Sequence, residues 1–212
     1  GMKSYVPLEQ MPSYVGGAAY LSEQMLFYSD PAISVGLIKK ALRLNLERGR
    51  FVYGGSTVTQ QLVKNLFLSR DKTLSRKLRE AVISWRITDT ISRDSILELY
   101  LNCIEFGPDT YGIGPAAKYY FQKDARDLSA KEAIFLAMLK PAPWYGGKVI
   151  ERKKTPIGGW WAKRYEELFQ RLIDEGMLTN AQAEAERPYV LEWDENGQYI
   201  DRTPKKKKLL EV

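Results

Sequence analysis

A helix-start pattern that occurs three times restricts the fold of this chain more than any other sequence feature. In each copy a hydroxyl side chain stands three residues before a Glu or Gln, so that the two side chains can cap the first turn reciprocally. The pairs are Thr57 with Gln60, Ser129 with Glu132, and Thr179 with Gln182. Apolar residues recur at helical spacing in most of the other segments. We therefore predict a mainly α fold.

Helical spacing and local breakers divide the chain into predicted elements. We predict helices from Ser13 onward and over 33–48, 57–68, 73–91, 92–102, 116–121, 130–140, 160–175 and 179–186. Asn196-Gly197 between two short apolar runs is typical of a hairpin, which adds a small C-terminal β-hairpin to the fold. The Pro- and Gly-rich stretch 141–159 is predicted to be an irregular loop. The resulting division is a main domain over 1–187, the terminal hairpin over 188–202, and a basic tail over 203–212 that we expect to be disordered.

Composition excludes several classes of function. The chain has 212 residues, 27% of them charged, and its composition is that of a soluble globular protein. The absence of histidine excludes histidine catalysis and histidine-liganded metals, and the single Cys103 excludes an internal disulfide. Lys205 to Lys208 supply four of the six net positive charges. Nucleic-acid binding is therefore not favoured, whereas the basic tail could attract anionic lipid head groups.

The turn Gly54-Gly55-Ser56, directly before the helix that starts at Thr57, is the first candidate binding feature. Its two glycines let the backbone approach a ligand closely. The first N–H groups of the helix, with the capping pair Thr57 and Gln60, would point out of the turn toward a phosphate or diphosphate. Lys64, two turns further on, adds a full charge. An ordinary capped surface helix is the alternative at this point.

Two glutamates are candidate catalytic groups. Glu23 falls on the apolar face of the first helix, where a carboxylate either has a partner or has its pKa raised by desolvation and serves as a base. A helix-edge glutamate that reaches water is the alternative. Glu80 lies on the fourth predicted helix, four residues after Arg76. Because that helix is apolar on both sides, we expect it to be buried, and its charges, with Lys72 and Arg79, to form a cleft wall rather than a surface ion pair.

Four motifs in a fixed order carry a resemblance to a known family. They are GGSTVTQQLVKN from Gly54, RKLRE from Arg76, ILELYLNCIEFGPDTYGIGPAAKYYF from Ile96, and LSAKEAIFLAML from Leu128. This order resembles the peptidoglycan glycosyltransferases, glycosyltransferase family 51, and most closely the monofunctional biosynthetic transglycosylases. The resemblance extends over roughly residues 5–143, about two thirds of the chain.

The resemblance implies a lysozyme-like helical fold and the polymerisation of lipid II into glycan strands. In this family a glutamate of the first motif deprotonates the acceptor's sugar 4-hydroxyl. The hydroxyl then attacks the anomeric carbon of the donor, inverts it to a β-1,4 bond and releases the polyprenyl diphosphate. Glu23 stands at the position of that base, and Glu80 at that of a second essential glutamate on the diphosphate side. The other matching positions are the basic Lys64, Lys72 and Arg79 and the substrate-lining Ser56, Gln61 and Tyr120.

The resemblance also implies the surroundings of the site. Mg²⁺ or Mn²⁺ could share the diphosphate, with Glu80 as a candidate ligand, and no organic cofactor is expected. The expected partners are lipid II, the growing lipid-linked glycan chain, the membrane surface and other cell-wall synthesis proteins, without nucleic acid. The expected location is the outer, periplasmic face of the bacterial cytoplasmic membrane, for a soluble domain excised from its natural context.

The first motif departs from the family pattern at three positions. The family has Asp directly after the base, followed later by His and Gly, whereas this chain has Gln24, Asp30 and Ala32. We expect these changes to alter the orientation of Glu23 and the folding of the segment after it, and therefore the rate and the acceptor preference. Both glutamates and the basic residues remain, which favours a glycosyltransferase over two alternatives. One is a catalytically weak or inactive binding module for lipid diphosphate or glycan, and the other is a lysozyme-like hydrolase.

Overall fold

The structure is a computed structural model that describes residues 4–49, 54–68, 73–155 and 158–202. These residues form ten α-helices, two short 3₁₀ turns and one two-stranded antiparallel sheet, which confirms the mainly helical prediction. In chain order the helices and strands are α1 (Ser13–Leu21), α2 (Val35–Glu47), α3 (Val58–Phe67), α4 (Leu74–Thr90), α5 (Arg93–Cys103), β1 (Glu105–Gly107), β2 (Thr110–Tyr111), α6 (Ile113–Phe121), α7 (Ala130–Leu139), α8 (Tyr145–Glu151), α9 (Gly159–Asp174) and α10 (Asn180–Ala185).

The three capping boxes set the starts of α3, α7 and α10. Thr57, Ser129 and Thr179 are the N-caps, and each is bonded reciprocally to its partner three residues on. Such caps satisfy backbone donors that have no partner inside the helix, so the local sequence alone fixes where the helix begins. The starts and ends predicted for these three helices agree closely with the structure.

The core is built around α7. Every residue of α7 is buried, and the helix packs against both α1 and α9. A helix that is apolar all round belongs in the interior. α1 is likewise buried from Val15 to Leu21. Gly17 lets α1 approach α9 closely, because a Cβ at this position would lie 2.7 Å from Leu172.

A second group of helices carries the candidate site. α3 contacts both α4 and α5, and α5 contacts α1. The buried side of α3 includes Val58, Leu62 and Val63. α3 therefore links α4 to the body of the molecule, and its start lies where α4 and the segment after α1 both reach it.

The prediction that α4 is buried on both sides is wrong. Within α4, burial is confined to Glu80 and Ser84. Leu74, Leu78 and Trp85 are 77%, 61% and 59% exposed. Helical periodicity locates an apolar face but does not say what covers it. One face of α4 packs on α3, and its more apolar face stays open.

α2 exposes a second apolar face. Residues three or four apart on one side of this helix are 40–81% exposed, namely Val35, Ile38, Leu42 and Leu46. The basic residues Lys39, Lys40 and Arg43 are also exposed on this helix. Among the described residues, every helix is too short or too polar to span a bilayer.

The two-stranded sheet was not predicted, whereas the predicted C-terminal hairpin is present in a reduced form. The two-stranded sheet lies directly after α5, where Gly107 pairs with Thr110. In 188–202 the chain turns back at Gly197, whose φ is +74°, and the pairing of the turn consists of one antiparallel bridge between Trp193 and Tyr199. Trp193 is buried in the main core, so this segment packs on the rest of the domain. The stretch predicted to be an irregular loop contains the short α8.

Candidate active site

The C-terminus of α1 positions Glu23. The prediction that Glu23 lies on a helical face is wrong, because α1 ends at Leu21 and Glu23 occupies the turn that follows. The Glu23 N–H donates to the Tyr20 carbonyl at 3.0 Å. Three cationic side chains bind the carbonyls at this helix end: Lys140 at Ala19, Arg171 at Leu21 and Arg164 at Ser22. Cations are favoured there because they satisfy carbonyls without intrahelical donors and complement the helix dipole.

The Glu23 carboxylate has one neutral and one charged partner. Gln61 donates from Nε2 to Oε2 of Glu23 at 2.9 Å. Lys140 Nζ lies 3.6 Å from Oε1 of Glu23. Tyr100 donates its hydroxyl to Oε1 of Gln61 at 3.0 Å, which turns the Gln61 amide group toward Glu23. The Glu23 side chain is 20% exposed, so part of the carboxylate stays accessible.

Lys140 is a site residue that the sequence analysis did not single out. Its side chain is 3% exposed, and burial lowers its pKa to about 8 against the opposing effect of Glu23. Its ammonium group lies 5.3 Å from the ring centroid of Tyr100. The sequence did contain a signal for Lys140. A lysine at the end of a strongly apolar helix that is expected to be buried needs a polar partner inside the protein.

The Glu80 carboxylate is buried and bound by two cations. Glu80 is 1% exposed. Arg76 Nη1 donates to Oε2 of Glu80 at 2.8 Å, and Lys77 Nζ is bonded to Oε1. Lys77 also donates to Ser56 Oγ at 2.9 Å, and its side chain is 44% exposed. Lys77 lies inside the RKLRE motif, but Arg79, and not Lys77, was predicted to be the second diphosphate-binding residue of this helix.

α3 connects the two glutamates. Gln61, in the second turn of α3, binds Glu23, while Ser56, just before α3, binds the Lys77 partner of Glu80. The predicted site residues Glu23, Glu80, Ser56 and Gln61 are thus joined by hydrogen bonds through one helix and the turn before it. The structure therefore brings these four residues together, and their roles in one site stay a prediction.

The start of α3 does not point its N–H groups outward, so that prediction is wrong. The Thr57 N–H donates to Gln60 Oε1 at 3.0 Å, and the Gln60 N–H donates to Thr57 Oγ1 at 3.2 Å. The Val58 N–H donates to Gln24 Oε1 at 3.1 Å. Thr57 and Gln60 are 1% and 3% exposed. These donors already have partners within the protein. The buried side chains of Thr57 and Gln60 therefore stabilise the start of α3 and do not line the site.

Three of the predicted diphosphate-binding residues lie in different settings. Lys64 is exposed on α3, one turn after Gln61 and on the same side of the helix. Arg79 is exposed on α4 and donates to Ser75 Oγ at 3.2 Å. Lys72 lies outside the described residues. The basic residues placed directly at Glu80 are therefore Arg76, as predicted, and Lys77.

Tyr120 is a core residue and does not line the site, which corrects the prediction. It is fully buried, and its hydroxyl donates to the Phe106 carbonyl at 3.0 Å. A Cβ at Gly146 would lie 2.0 Å from the Tyr120 hydroxyl oxygen, so α8 packs directly on this side chain. Burial raises the pKa of Tyr120 well above its ordinary value. A buried phenol of this kind joins α6 to β1 and α8.

The residues at Glu80 do not fit a metal held by protein ligands alone. Both carboxylate oxygens of Glu80 are bound to cationic side chains. Across the part of the chain that the structure describes, no group of three Asp, Glu, Cys or His side chains is arranged to hold a metal. Arg76 and Lys77 thus already supply positive charge at both oxygens of this carboxylate.

Comparisons with known proteins agree with the motif order. A family model described as Transglycosylase matches residues 2–155. The chain is 36% identical over 186 residues to penicillin-binding protein 1A of Aquifex aeolicus, a match that covers 85% of this chain and 24% of that protein. It is 37% identical over 168 residues to the biosynthetic peptidoglycan transglycosylase of Nitrosospira multiformis, with 79% and 70% covered, respectively. The protein of the same name from Burkholderia cenocepacia is 39% identical over 142 residues, with 66% and 58% covered.

The family match includes both candidate carboxylates and the helices that hold them. It takes in Glu23, Glu80, Gln61 and Lys140 and ends within the segment after α8. The chain spans only 24% of the length of the penicillin-binding protein 1A relative, so it corresponds to a part of that protein. The extent of the family match and the identities above show that this chain belongs to the transglycosylase family.

Proposed function

We propose that this domain is a peptidoglycan glycosyltransferase that polymerises lipid II into β-1,4 glycan strands with inversion. The proposal rests on one observation. Residues of α3 and of the turn before it form hydrogen bonds at two different glutamate sites. One is Glu23, partly exposed and held by Gln61, and the other is the cationic cluster of Arg76 and Lys77 around Glu80. A base beside an anion-binding cluster is the arrangement that glycosyl transfer from a diphosphate requires.

Glu23 supplies the base in this proposal. It takes the proton of the acceptor's sugar 4-hydroxyl, whose oxygen forms the new bond to the anomeric carbon of the donor. The bond from that carbon to the diphosphate oxygen breaks on the opposite face, and its electron pair leaves with the diphosphate. Gln61 and Lys140 hold the carboxylate in one orientation while its exposed part accepts the proton.

Arg76 and Lys77 stabilise the departing polyprenyl diphosphate. Both side chains are fixed by Glu80, and Lys77 remains partly exposed. Lys64 on α3 and Arg79 on α4 are further exposed cations on the two helices that meet at this cluster. Fixed positive charge stabilises a leaving group best where it is already oriented before the reaction. A neutral glycan offers nothing for such a cluster to bind, which argues against a hydrolase.

The surface of the domain suits work at a membrane. The open apolar faces of α2 and α4 would contact the acyl and interfacial region, and the exposed Lys39, Lys40 and Arg43 would meet anionic head groups. This surface supports a location at the outer face of the bacterial cytoplasmic membrane, where the substrate and growing chain are themselves lipid-linked. Other cell-wall synthesis proteins are the expected partners there.

A turnover assay with lipid II tests the proposal. The parent, Glu23→Gln and the control Glu195→Gln are compared for glycan polymer that a β-1,4-specific muramidase digests. Glu195 is matched as a glutamate whose side chain is 91% exposed and remote in the chain from the site. We expect the control to equal the parent, and Glu23→Gln to lose about 10³-fold in kcat, the scale of a general base.

Three outcomes contradict the proposal in different ways. A parent that binds lipid II without forming polymer is a binding module. A parent that releases sugars from intact cell wall without a lipid substrate is a hydrolase. Equal turnover by the parent and Glu23→Gln removes Glu23 from the role of base.

A further inference from the structure

The segment that follows Glu23 is tied to the start of α3 by one side chain. Gln24 is 1% exposed. Its Oε1 accepts from the Val58 N–H at 3.1 Å, and its Nε2 donates to Asp30 Oδ2 at 3.3 Å. The amide therefore serves as acceptor for the first helical residue of α3 and as donor to a carboxylate six residues further along its own segment.

Two further contacts close the same segment against its neighbours. Thr57 donates its hydroxyl to the Ala32 carbonyl at 2.7 Å. Arg93, the first residue of α5, donates to the Asp30 carbonyl and lies 5.5 Å from the ring centroid of Phe27, which is fully buried. The residues between Gln24 and Ala32 are thus fixed at both ends. The three departures from the family pattern, Gln24, Asp30 and Ala32, all belong to this one connected set.

The contact of Gln24 bears directly on Glu23. Glu23 precedes Gln24 in the chain, and its amide partner Gln61 stands three residues after Val58 on α3. The Gln24–Val58 bond therefore fixes the spacing between the chain that carries Glu23 and the helix that carries Gln61. A shift of about 1 Å in such a pair is enough to impair a reaction that depends on alignment.

We propose that Gln24 is a positioning residue for Glu23, and that its amide acts as a unit with the Asp30 carboxylate. The role rests on the proposed function of Glu23 as the base. An amide is required because this buried place needs an acceptor for Val58 and a donor for Asp30 at once. A carboxylate at position 24 serves Val58 but sets a second negative charge against Asp30 without a shared proton.

An amide–carboxylate exchange tests the unit. The variants are Gln24→Glu, Asp30→Asn and the double variant that carries both. In the double variant the new amide at position 30 can donate to the new carboxylate at position 24, whose other oxygen still accepts from Val58. The matched control is Gln170→Glu, because Gln170 donates to Asp174 at 2.8 Å in the same kind of pair on an exposed helix face.

We expect Gln24→Glu to lower kcat and the double variant to restore it. Gln24→Glu should lower kcat about 30-fold with KM within about two-fold, since alignment and not substrate binding is impaired. Asp30→Asn, which still accepts from Gln24, should stay within about three-fold of the parent, and the double variant should recover to about the same level. Gln170→Glu should match the parent. Gln24→Met, which keeps the shape without either hydrogen bond, should show the kcat loss if Gln24→Glu does not fold.

The proposal is overturned if Gln24→Glu and Gln24→Met both keep the parent's kcat, or if the double variant is as slow as Gln24→Glu. Failure of the proposed function is recognised separately, as a parent that makes no polymer from lipid II. In that case the Gln24–Asp30 unit is tested by the unfolding free energies of the parent, Gln24→Glu, Asp30→Asn and the double variant. Non-additive losses that the exchange repairs support the Gln24–Asp30 unit, and additive losses overturn it.

Discussion

The two glutamates of the site are held in opposite ways. Glu80 is 1% exposed, and each of its carboxylate oxygens is bound by a cationic side chain. Glu23 is 20% exposed, and the neutral amide of Gln61, at 2.9 Å, lies closer to its carboxylate than the Lys140 ammonium does at 3.6 Å. Glu23 is bonded to α3 through Gln61, and Glu80 is linked through Lys77 to Ser56 just before α3, so the two carboxylates differ chiefly in the groups placed around them.

This difference assigns different work to the two side chains. A buried carboxylate bonded to two cationic side chains holds those cations in place. A carboxylate with one neutral donor, a cation at 3.6 Å and an open side can accept a proton from a substrate. In the proposed function, Glu80 thus organises positive charge, whereas Glu23 takes the proton of the acceptor.

The largest expected effect is a difference in unfolding free energy between variants of the two glutamates. Glu80→Gln leaves Arg76 and Lys77 beside a neutral group in a buried place, and we expect a loss of about 3 kcal/mol in the free energy of unfolding. Glu23→Gln keeps a polar partner for Gln61 and should cost about 1 kcal/mol or less. Denaturant unfolding of both variants measures the contrast. Equal losses would mean that the burial of the two carboxylates does not differ in energetic terms.

The elements of the fold that depend on local sequence could be predicted, and those that depend on packing could not. Capping boxes at Thr57, Ser129 and Thr179 act within four residues, so the starts of three helices followed directly from the sequence. The open face of α4 could not be predicted, because it arises from packing: none of the elements that the structure describes covers Leu74 and Leu78. Periodicity contains no information on what lies opposite a helix face.

The site shows the same division. The motif order identified Glu23, Glu80 and Gln61, which the structure joins through α3. It did not separate Lys77 from Arg79, since that choice depends on how α4 is rotated against α3. It also missed Lys140, which reaches Glu23 from the far end of α7. Such contacts between distant segments are set by the packing of α1 on α7.

The second prediction uses the pH dependence of the cation beside Glu23. Lys140 has a folded-state pKa of about 8, below the ordinary 10.5, because burial disfavours its charge. Below pH 8 the amine is charged in both states and its burial cost is fully present. As the pH rises toward 10.5, the folded protein releases this proton before the unfolded chain does, and the cost is relieved.

The stability of the parent relative to Lys140→Met should therefore rise with pH in this window. Between about pH 7.5 and about pH 9.5 we expect a relative gain of about 2 kcal/mol, measured by denaturant unfolding of both proteins. Tyrosines with raised pKa values are shared by the two proteins and cancel in the difference. A difference that is flat with pH would show that Lys140 is not desolvated beside Glu23.

The third prediction removes the hydroxyl that orients Gln61. Tyr100→Phe keeps the buried ring under Lys140 but deletes the bond to Gln61 Oε1. A neutral hydrogen bond contributes about 1 kcal/mol, so we expect a fall of about five-fold in kcat with KM unchanged. Steady-state kinetics on lipid II provide the measurement. Because the bonds described for the Glu80 side chain go to Arg76 and Lys77 and not to Tyr100 or Gln61, the same change should leave the binding of inorganic diphosphate as it is in the parent.

The smallest effect on stability is expected on the outer face of the helix that carries Glu80. Leu78 is 61% exposed, so Leu78→Ser removes little buried surface, and we expect a change of about 0.5 kcal/mol or less in unfolding free energy. Leu62, which is fully buried on α3, provides the contrast, since Leu62→Ala should cost about 3 kcal/mol. Binding of Leu78→Ser to vesicles that contain anionic lipid should nevertheless weaken several-fold, because the open face of α4 loses apolar area. If Leu78→Ser destabilises the fold as much as Leu62→Ala, this face is covered in solution, and the contrast between the buried charge of α4 and its exposed apolar side does not hold.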